Sequence, residues 1–592
     1  MKQFFGAFFG SIVGILVATL LAILLVFAIV KASISTALSS RSENTEITDD
    51  KAILRLNLEG ELIERERENP FAQLGDVAPF VDAESLGLNS LLKKIRSAAG
   101  DANVKGLYLR FGNLRAGIAS VHEIRKAITE FKKSGKFVYC YAEDYDQLGY
   151  YLASAGTKVY MHPEGSLLWK GLGMNLLFFR NALEKLDVEL QVFRHGRFKS
   201  TIEPLVLDRM SEANRQQSEV FLASIWQSIL EEVSVSRRIS VEELNAMADE
   251  LRIRLPEDAA KGLVDKLAYE DEVIDELKKK TGTKTEDRPP FREFSNYTAR
   301  AGSDGKAGSA RIAVIYANGP ITSGDGSDDE AGSERLTRAI REARMDDKVK
   351  AIVLRVNSPG GSALASDVIW REMMLAKKAK PSVVSMGDVA ASGGYYISCG
   401  ADRIFAQPNT ITGSIGVFGV IPNLKRSLEN KLGITADTVN TNRHSDFGSG
   451  LRAVTSNERD YVQAMVERVY ETFASRVSEG RRISRAEVDS IAQGRVWSGS
   501  DALRLNLVDE FGGLKEAVAY AAKKANVSEY RITELPRLKG PFDGIFNNTE
   551  REVREKVISQ TLGSAYPYWK HVRNILSLQG VQARLPYDLL IQ

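Results

Sequence analysis

The chain has 592 residues, 26% of them charged, and a formal net charge of +2. That length exceeds one ordinary hydrophobic core and predicts at least two domains. The balanced charge excludes an overall basic field for nucleic acid. Two cysteines, Cys140 and Cys399, and five scattered histidines without HExxH spacing point to neither a disulfide framework nor a zinc site.

After a short segment, residues 1–3, the run "FFGAFFGSIVGILVATLLAILLVFAIV" from Phe4 to Val30 carries no charge. A bilayer core needs about 20 apolar residues, and a signal peptide has an apolar stretch of only about 7–15. Residues 4–30 are therefore predicted to form an uncleaved transmembrane anchor, although the small residues of "VKASISTALS" leave a cleavage site open. Lys2 before the span and Lys31 and Arg41 after it nearly balance, so charge does not encode orientation. The Ser/Thr-rich residues 31–50 read as a linker.

Beyond the linker the chain repeats itself. "VKGLYLR" from Val104 returns as "VKAIVLR" from Val349, 245 positions later, and the same offset relates Gly149-Tyr150-Tyr151 to Gly394-Tyr395-Tyr396 and Pro163 to Pro408. "RRIS" before Ser240 and Ser484, and "LVD" at Leu263–Asp265 and Leu507–Asp509, recur at an offset of 244. Ordered matches at one long offset mean duplication of a whole domain, with copies at 51–282 and 311–540. A Gly/Pro/Ser-rich linker, 283–310, is expected between them. The tail 541–592 has no counterpart, and its "EREVREKVISQTL" reads either as an amphipathic helix or as a loose terminal segment.

Within the second copy, "AIVLRVN" reads as a buried strand, "ALASDVIWREMMLAKKAK" as a helix and "PSVVSMGD" as another strand, and "GYYISCGA" starts another helix. This alternation predicts an α/β fold with mostly parallel sheets. Ser240 with Glu243, and Ser484 with Glu487, fit capping boxes that start matching helices.

The copies differ where chemistry is expected. "NSPGGS", Asn357–Ser362, ends a strand of the second copy with two glycines that can present backbone N–H groups, where the first copy has "GNLRAG". "GDVAASGGYYIS", Gly387–Ser398, puts Ser392 between a strand end and a helix start, where the first copy has Gln147. On these residues alone, the default reading of the first motif is a simple tight turn and the favoured reading of Ser392 is a helix cap.

Together with "TGSIGVFG" (Thr412–Gly419), these motifs resemble the catalytic domain of the signal peptide peptidase A (protease IV) family, and the first copy plus the anchor resembles its long, duplicated type. The resemblance implies two tandem ClpP/crotonase-like domains behind one N-terminal transmembrane helix. It also implies a serine endopeptidase with a Ser-Lys dyad. Ser392 is then the nucleophile, and Lys199, in "GRFKSTIEP" of the first copy, the general base. Ser414 positions the lysine, and the N–H groups of Gly361 and Gly393 form the oxyanion hole. If Arg194–His195 matches Arg443–His444, Lys199 faces Gly448, so each copy holds half a site. No metal or organic cofactor is expected. The implied substrates are hydrophobic peptides, including cleaved signal peptides. The implied setting is the bacterial inner membrane, with the catalytic domains on the periplasmic side in a homo-tetramer. A crotonase-type acyl-CoA enzyme and a non-catalytic membrane scaffold are the alternatives. Asp388 lies near the site without an assigned role.

Overall fold

Runs of β-branched and aromatic residues, one in each copy, form the middle strands of two sheets. In the computed structural model the described residues are 52–66, 85–284, 286–298, 310–538 and 581–585, with isolated positions 14, 558, 561, 563 and 566. The segment 1–3, most of the expected anchor 4–30, the linker 31–50 and most of the tail lie outside them. Among the described residues no helix is long and apolar enough to cross a membrane.

The first sheet runs in the order Ser85–Gly87, Ala52–Ile63, Val104–Arg115, Phe137–Ala142, Lys158–Met161, Lys266–Leu267. Parallel ladders join its last four strands. The second-copy sheet runs Val496–Ser498, Ile411–Gly413, Ser382–Ala391, Val349–Ser358, Arg311–Asn318, Arg531–Leu535. It is parallel except where Ile411–Gly413 meets Val496–Ser498. Val353, Leu354 and Val356 in its centre are wholly buried, as strands covered on both faces require.

The duplication is visible in the hydrogen bonds. Tyr150 Oη donates to the Leu263 carbonyl at 2.8 Å, and Tyr395 Oη to Leu507 at 2.9 Å. Lys132 Nζ caps the carbonyls of Ala155 and Gly156, and Lys377 Nζ those of Gly400 and Ala401. Each copy has a 26-residue helix, Glu212–Arg237 and Ser456–Arg481, capped by Ser211 or Thr455 and closed by a left-handed arginine, Arg238 or Arg482. The helices after "RRIS" start where capping predicts. The Ser484 box is reciprocal, and Ser240 accepts from the Glu243 N–H.

Three features knit the copies together, and residues 53–592 form one unit. First, Glu189–His195 of the first copy pairs antiparallel with Val417–Asn423 of the second. Second, Arg355 is fully buried between Glu64 and Glu123 of the first copy, with donor–acceptor distances of 2.8–3.1 Å. Burial alone would lower its pKa, but the Glu123 and Glu64 carboxylates more than offset that and raise it. Third, the Asp388 carboxylate accepts from Ser120 N (2.8 Å) and Oγ (2.5 Å) across the boundary. Burial raises the Asp388 pKa against the opposing pull of these hydrogen bonds. The acid without an assigned role is thus a docking residue between copies.

Arg355→Ala leaves two buried carboxylates unpaired and is expected to destabilise the fold by about 3–5 kcal/mol, read as a lowered unfolding midpoint in urea.

Residues 286–298 depart from the linker reading. Phe291–Glu293 adds a parallel strand beside Ala52–Ile63. Phe291 stacks on Tyr108 with ring centroids 5.4 Å apart, and Phe294 and Tyr297 are buried. Isolated aromatic anchors in a polar, proline-containing stretch leave no periodicity to read.

Candidate active site

Ser392 ends the Ser382–Ala391 strand and precedes the short helix Gly393–Ser398. Its backbone has φ 55° and ψ −114°, a region that costs a residue with a Cβ about 1–3 kcal/mol. The turn is held by the surrounding sheet, with Ser392 N donating to Gly413 O at 2.8 Å. The serine makes no side-chain cap bond to the helix, so the simple cap reading fails.

Lys199 arrives from the loop after the Glu189–His195 strand. That loop is fixed by Phe198 N donating to Gln493 O and by Gln217 Nε2 donating to Phe198 O and Ser200 Oγ. Gly494, at φ 80°, packs against it so closely that a Cβ there would lie 2.6 Å from Lys199 N. Lys199 Nζ lies 2.9 Å from Ser392 Oγ, 3.0 Å from Ser414 Oγ and 3.2 Å from Ser414 O. Ser414 is itself at φ 51°, with its N–H donating to Arg495 O.

Lys199, Ser392 and Ser414 have no exposed surface. Burial drives the Lys199 pKa well below the ordinary lysine value, with no carboxylate among the causes. A neutral amine 2.9 Å from a hydroxyl can accept its proton.

The "NSPGGS" motif forms the adjacent wall. Ser358 Oγ donates to Gly319 O and accepts from Gly360 N, which holds the turn. A Cβ at Gly360 (φ 89°) would lie 2.6 Å from the Gly393 amide nitrogen, so Gly393 and the Gly360–Gly361 edge meet at one point. Gly361 runs on the strand Gly360–Ser362 beside Ile321.

The structure therefore brings Lys199, Ser392, Ser414, Gly361 and Gly393 to one place from distant parts of the chain. Gly448, the alignment counterpart of Lys199, lies in an exposed turn region far along the other copy and takes no part. Sequence reasoning missed Gln217, a buried residue that ties the Lys199 loop to the second copy by accepting from Val496 N. It lies inside a helix with no motif to mark it. It also missed the strand Gln582–Arg584, which pairs antiparallel with Gly360–Ser362. Three polar or small residues in a tail carry no strand signal.

A buried, electrically isolated lysine touching a strained serine at a strand–helix junction defines a hydrolase-type nucleophile centre in a duplicated α/β protein. Comparison with known sequences narrows this class. The profile of peptidase family S49 matches residues 130–284 and 374–528, one region in each copy, and that of Clp protease matches residues 310–412. Protease 4 of Salmonella typhi is 36% identical over 93% of this chain and 87% of its own length. Protease 4 of Haemophilus influenzae is 35% identical over 82% and 81%. A chloroplastic serine protease SPPA of Arabidopsis thaliana is 32% identical over 84% and 74%. The chain belongs to peptidase family S49 and is a serine peptidase with that family's domain in duplicate.

Proposed function

We propose that Ser392 is the nucleophile and Lys199 the general base of a membrane-anchored endopeptidase that degrades cleaved signal peptides and other hydrophobic peptides. The observation that carries this reading is the 2.9 Å approach of the Lys199 amine to Ser392 Oγ, both fully buried, with no carboxylate among the causes of the lysine's lowered pKa. Neutral Lys199 takes the Ser392 proton as Oγ attacks the peptide carbonyl. The Gly361 and Gly393 N–H groups receive the oxyanion. Lys199 protonates the leaving amine, and water, deprotonated by the same lysine, hydrolyses the acyl-enzyme. Ser414 holds the amine in line. No cofactor enters this scheme.

A serine-directed acylating probe should label the full-length protein and fail to label Ser392→Ala. Labelling that survives in Ser392→Ala would sink the assignment. Ser414→Ala removes one of the lysine's two hydroxyl partners. It is expected to lower kcat by about 10- to 100-fold with KM little changed, and to shift the acidic limb of the pH–rate profile, which a merely structural residue would not move.

The uncharged run Phe4–Val30 supports an anchor that holds the site at the membrane and raises the local concentration of apolar peptides. We place the catalytic domains on the periplasmic side of a bacterial inner membrane. Protease treatment of spheroplasts should digest them without lysis, and protection until lysis would reverse the orientation.

We propose a homo-oligomer, a tetramer, and the repeat supports it. Val417–Asn423 pairs with Glu189–His195 inside the chain. Their counterparts at the 245-residue offset, 172–178 and 434–440, do not pair with each other, and they expose Leu177, Ile434 and Val439. A second copy can cover these exposed side chains head to tail, and where that rotation closes the contact generates a ring. Val439→Asp should shift the solubilised protein to a smaller mass in light scattering. An unchanged mass would reject this interface.

A further inference from the structure

The residues on either side of Lys199 are held by one side chain. Gln217 stands near the start of the helix Glu212–Arg237 and is 2% exposed. Its Nε2 donates to Phe198 O at 3.1 Å and to Ser200 Oγ at 2.9 Å, so the amide straddles Lys199. Its Oε1 accepts from Val496 N at 3.2 Å. Both ends of the amide are thereby fixed, because the Phe198 carbonyl requires the NH2 end and the Val496 N–H requires the oxygen. A glutamate could not donate to Phe198 O, and a methionine could make neither bond.

Val496 ends a segment of the second copy, Gln493–Val496, that touches both sides of the dyad. Gln493 O accepts from Phe198 N at 2.8 Å, and Arg495 O accepts from Ser414 N at 2.6 Å. Gly494 N donates to Ile415 O at 2.8 Å. The segment thus anchors the lysine loop on one edge and Ser414 on the other, and Gln217 ties its end to that loop a second time. The support behind Gln217 is buried as well. Nε2 lies 3.2 Å from Asn214 Oδ1, Asn214 Nδ2 donates to Glu203 Oε2 at 2.9 Å, and Glu203 Oε1 accepts from the Ser211 hydroxyl at 2.6 Å. Asn214 and Glu203 are 0% and 1% exposed.

The duplication supplies an independent comparison. The two 26-residue helices match at the 244-residue offset, with Arg238 answering to Arg482, which sets Tyr461 against Gln217. Tyr461 is 60% exposed. The amide is present only in the copy that supplies the lysine.

We propose that Gln217 is a positioning residue of the reaction, setting the Lys199 amine against Ser392 and Ser414 by locking the backbone around the lysine to the segment that holds Ser414. This rests on the Ser392–Lys199 reading. The loop that carries Lys199 crosses from the first copy, and without the lock it is free to shift and to admit water. A displacement of about 1 Å at a reacting group can cost about 10²-fold in rate. Hydration returns the amine toward the ordinary lysine pKa of ~10.4. Two charged residues pack on the same network. Glu203 is engaged by Ser211 and Asn214, and the Arg495 guanidinium lies over the Phe198 ring at 5.0 Å and the Trp497 ring at 4.2 Å. Neither is among the causes of the lysine's lowered pKa.

The test is the pH–rate profile for hydrolysis of an apolar peptide by the full-length protein in detergent, with kcat counted per site titrated to completion by a serine-directed acylating probe. Gln217→Met keeps the length of the side chain and removes both of its bonds. It is expected to lower kcat at neutral pH by about 10- to 100-fold with KM little changed. Its acidic limb should move to higher pH, so that the loss shrinks as the pH approaches ~10. Gln217→Glu keeps only the bond from Val496 N and brings in a carboxylate, which favours the charged lysine. Its limb should move further up than that of Gln217→Met. Ser224→Ala removes the 2.7 Å contact of the same helix with Ser498 and should leave both kcat and the limb at wild-type values. A limb unmoved in both Gln217 variants, a loss of equal size at every pH, or a matching loss in Ser224→Ala would overturn the proposal and leave the dyad standing. Activity that survives in Lys199→Met would remove the dyad itself.

Discussion

Replacing Lys199 with methionine is expected to lower kcat for peptide hydrolysis by about 10³-fold or more while making the protein more stable. The loss follows from removing the group that takes the serine proton, for which general-base effects of about 10²–10⁴ are usual. The gain follows from burial. Lys199 is wholly buried and its pKa is driven well down by desolvation. Below the ordinary lysine value of ~10.4, the unfolded chain therefore binds a proton that the folded chain does not. Stability then rises with pH from the depressed folded pKa up to that ordinary value, and at neutral pH the lysine is a cost. Methionine fills similar space without it, for an expected gain of about 1 kcal/mol. In wild type the rate should rise with pH through the depressed lysine pKa and then level off. Equal stability of Lys199→Met and wild type at neutral pH, or a rate flat across the acidic limb, would contradict the buried neutral amine.

Ser392→Gly and Ser392→Ala should both abolish hydrolysis, but they should differ in stability. At φ 55° and ψ −114° the Ser392 backbone suits glycine and strains any residue with a Cβ. Glycine is ordinarily the less stabilising of the two, by about 0.5–1 kcal/mol. Here it is expected to be the more stable by about 1 kcal/mol, measured as urea unfolding midpoints of the inactive pair. The reverse order would mean that the turn is not strained. The strain has a use, because it points Oγ away from the helix and toward the lysine instead of letting it cap the helix.

Much of the scaffold was legible because it is local. The strand Val349–Ser358 and the helix Ala363–Ala379 follow from an apolar run and a helical pattern, and the helix start after Ser484 follows from its capping box. The segment around Phe291 and the strand at Gln582 were not legible. Both are short, and each is stabilised by partners hundreds of positions away rather than by its own periodicity. Ser392 stood out through its motif, whereas Lys199 entered only through resemblance, since a lysine in "GRFKSTIEP" has no local mark of burial. The docking role of Asp388 was equally invisible, because its partner Ser120 belongs to the other copy.

The two copies of the duplicated chain differ where the chemistry lies, and that much the sequence determined: two α/β copies, Ser392 in one, Lys199 in the other by resemblance, and an uncharged run long enough for an anchor. The tertiary structure decided that the two residues meet within one chain, that both are buried, and that the strand Gln582–Arg584 pairs with Gly360–Ser362 beside them. The physical reason is range. Hydrophobic periodicity and capping act over a few residues and are written in order along the chain, whereas a lysine becomes a base only through desolvation by side chains brought from both copies.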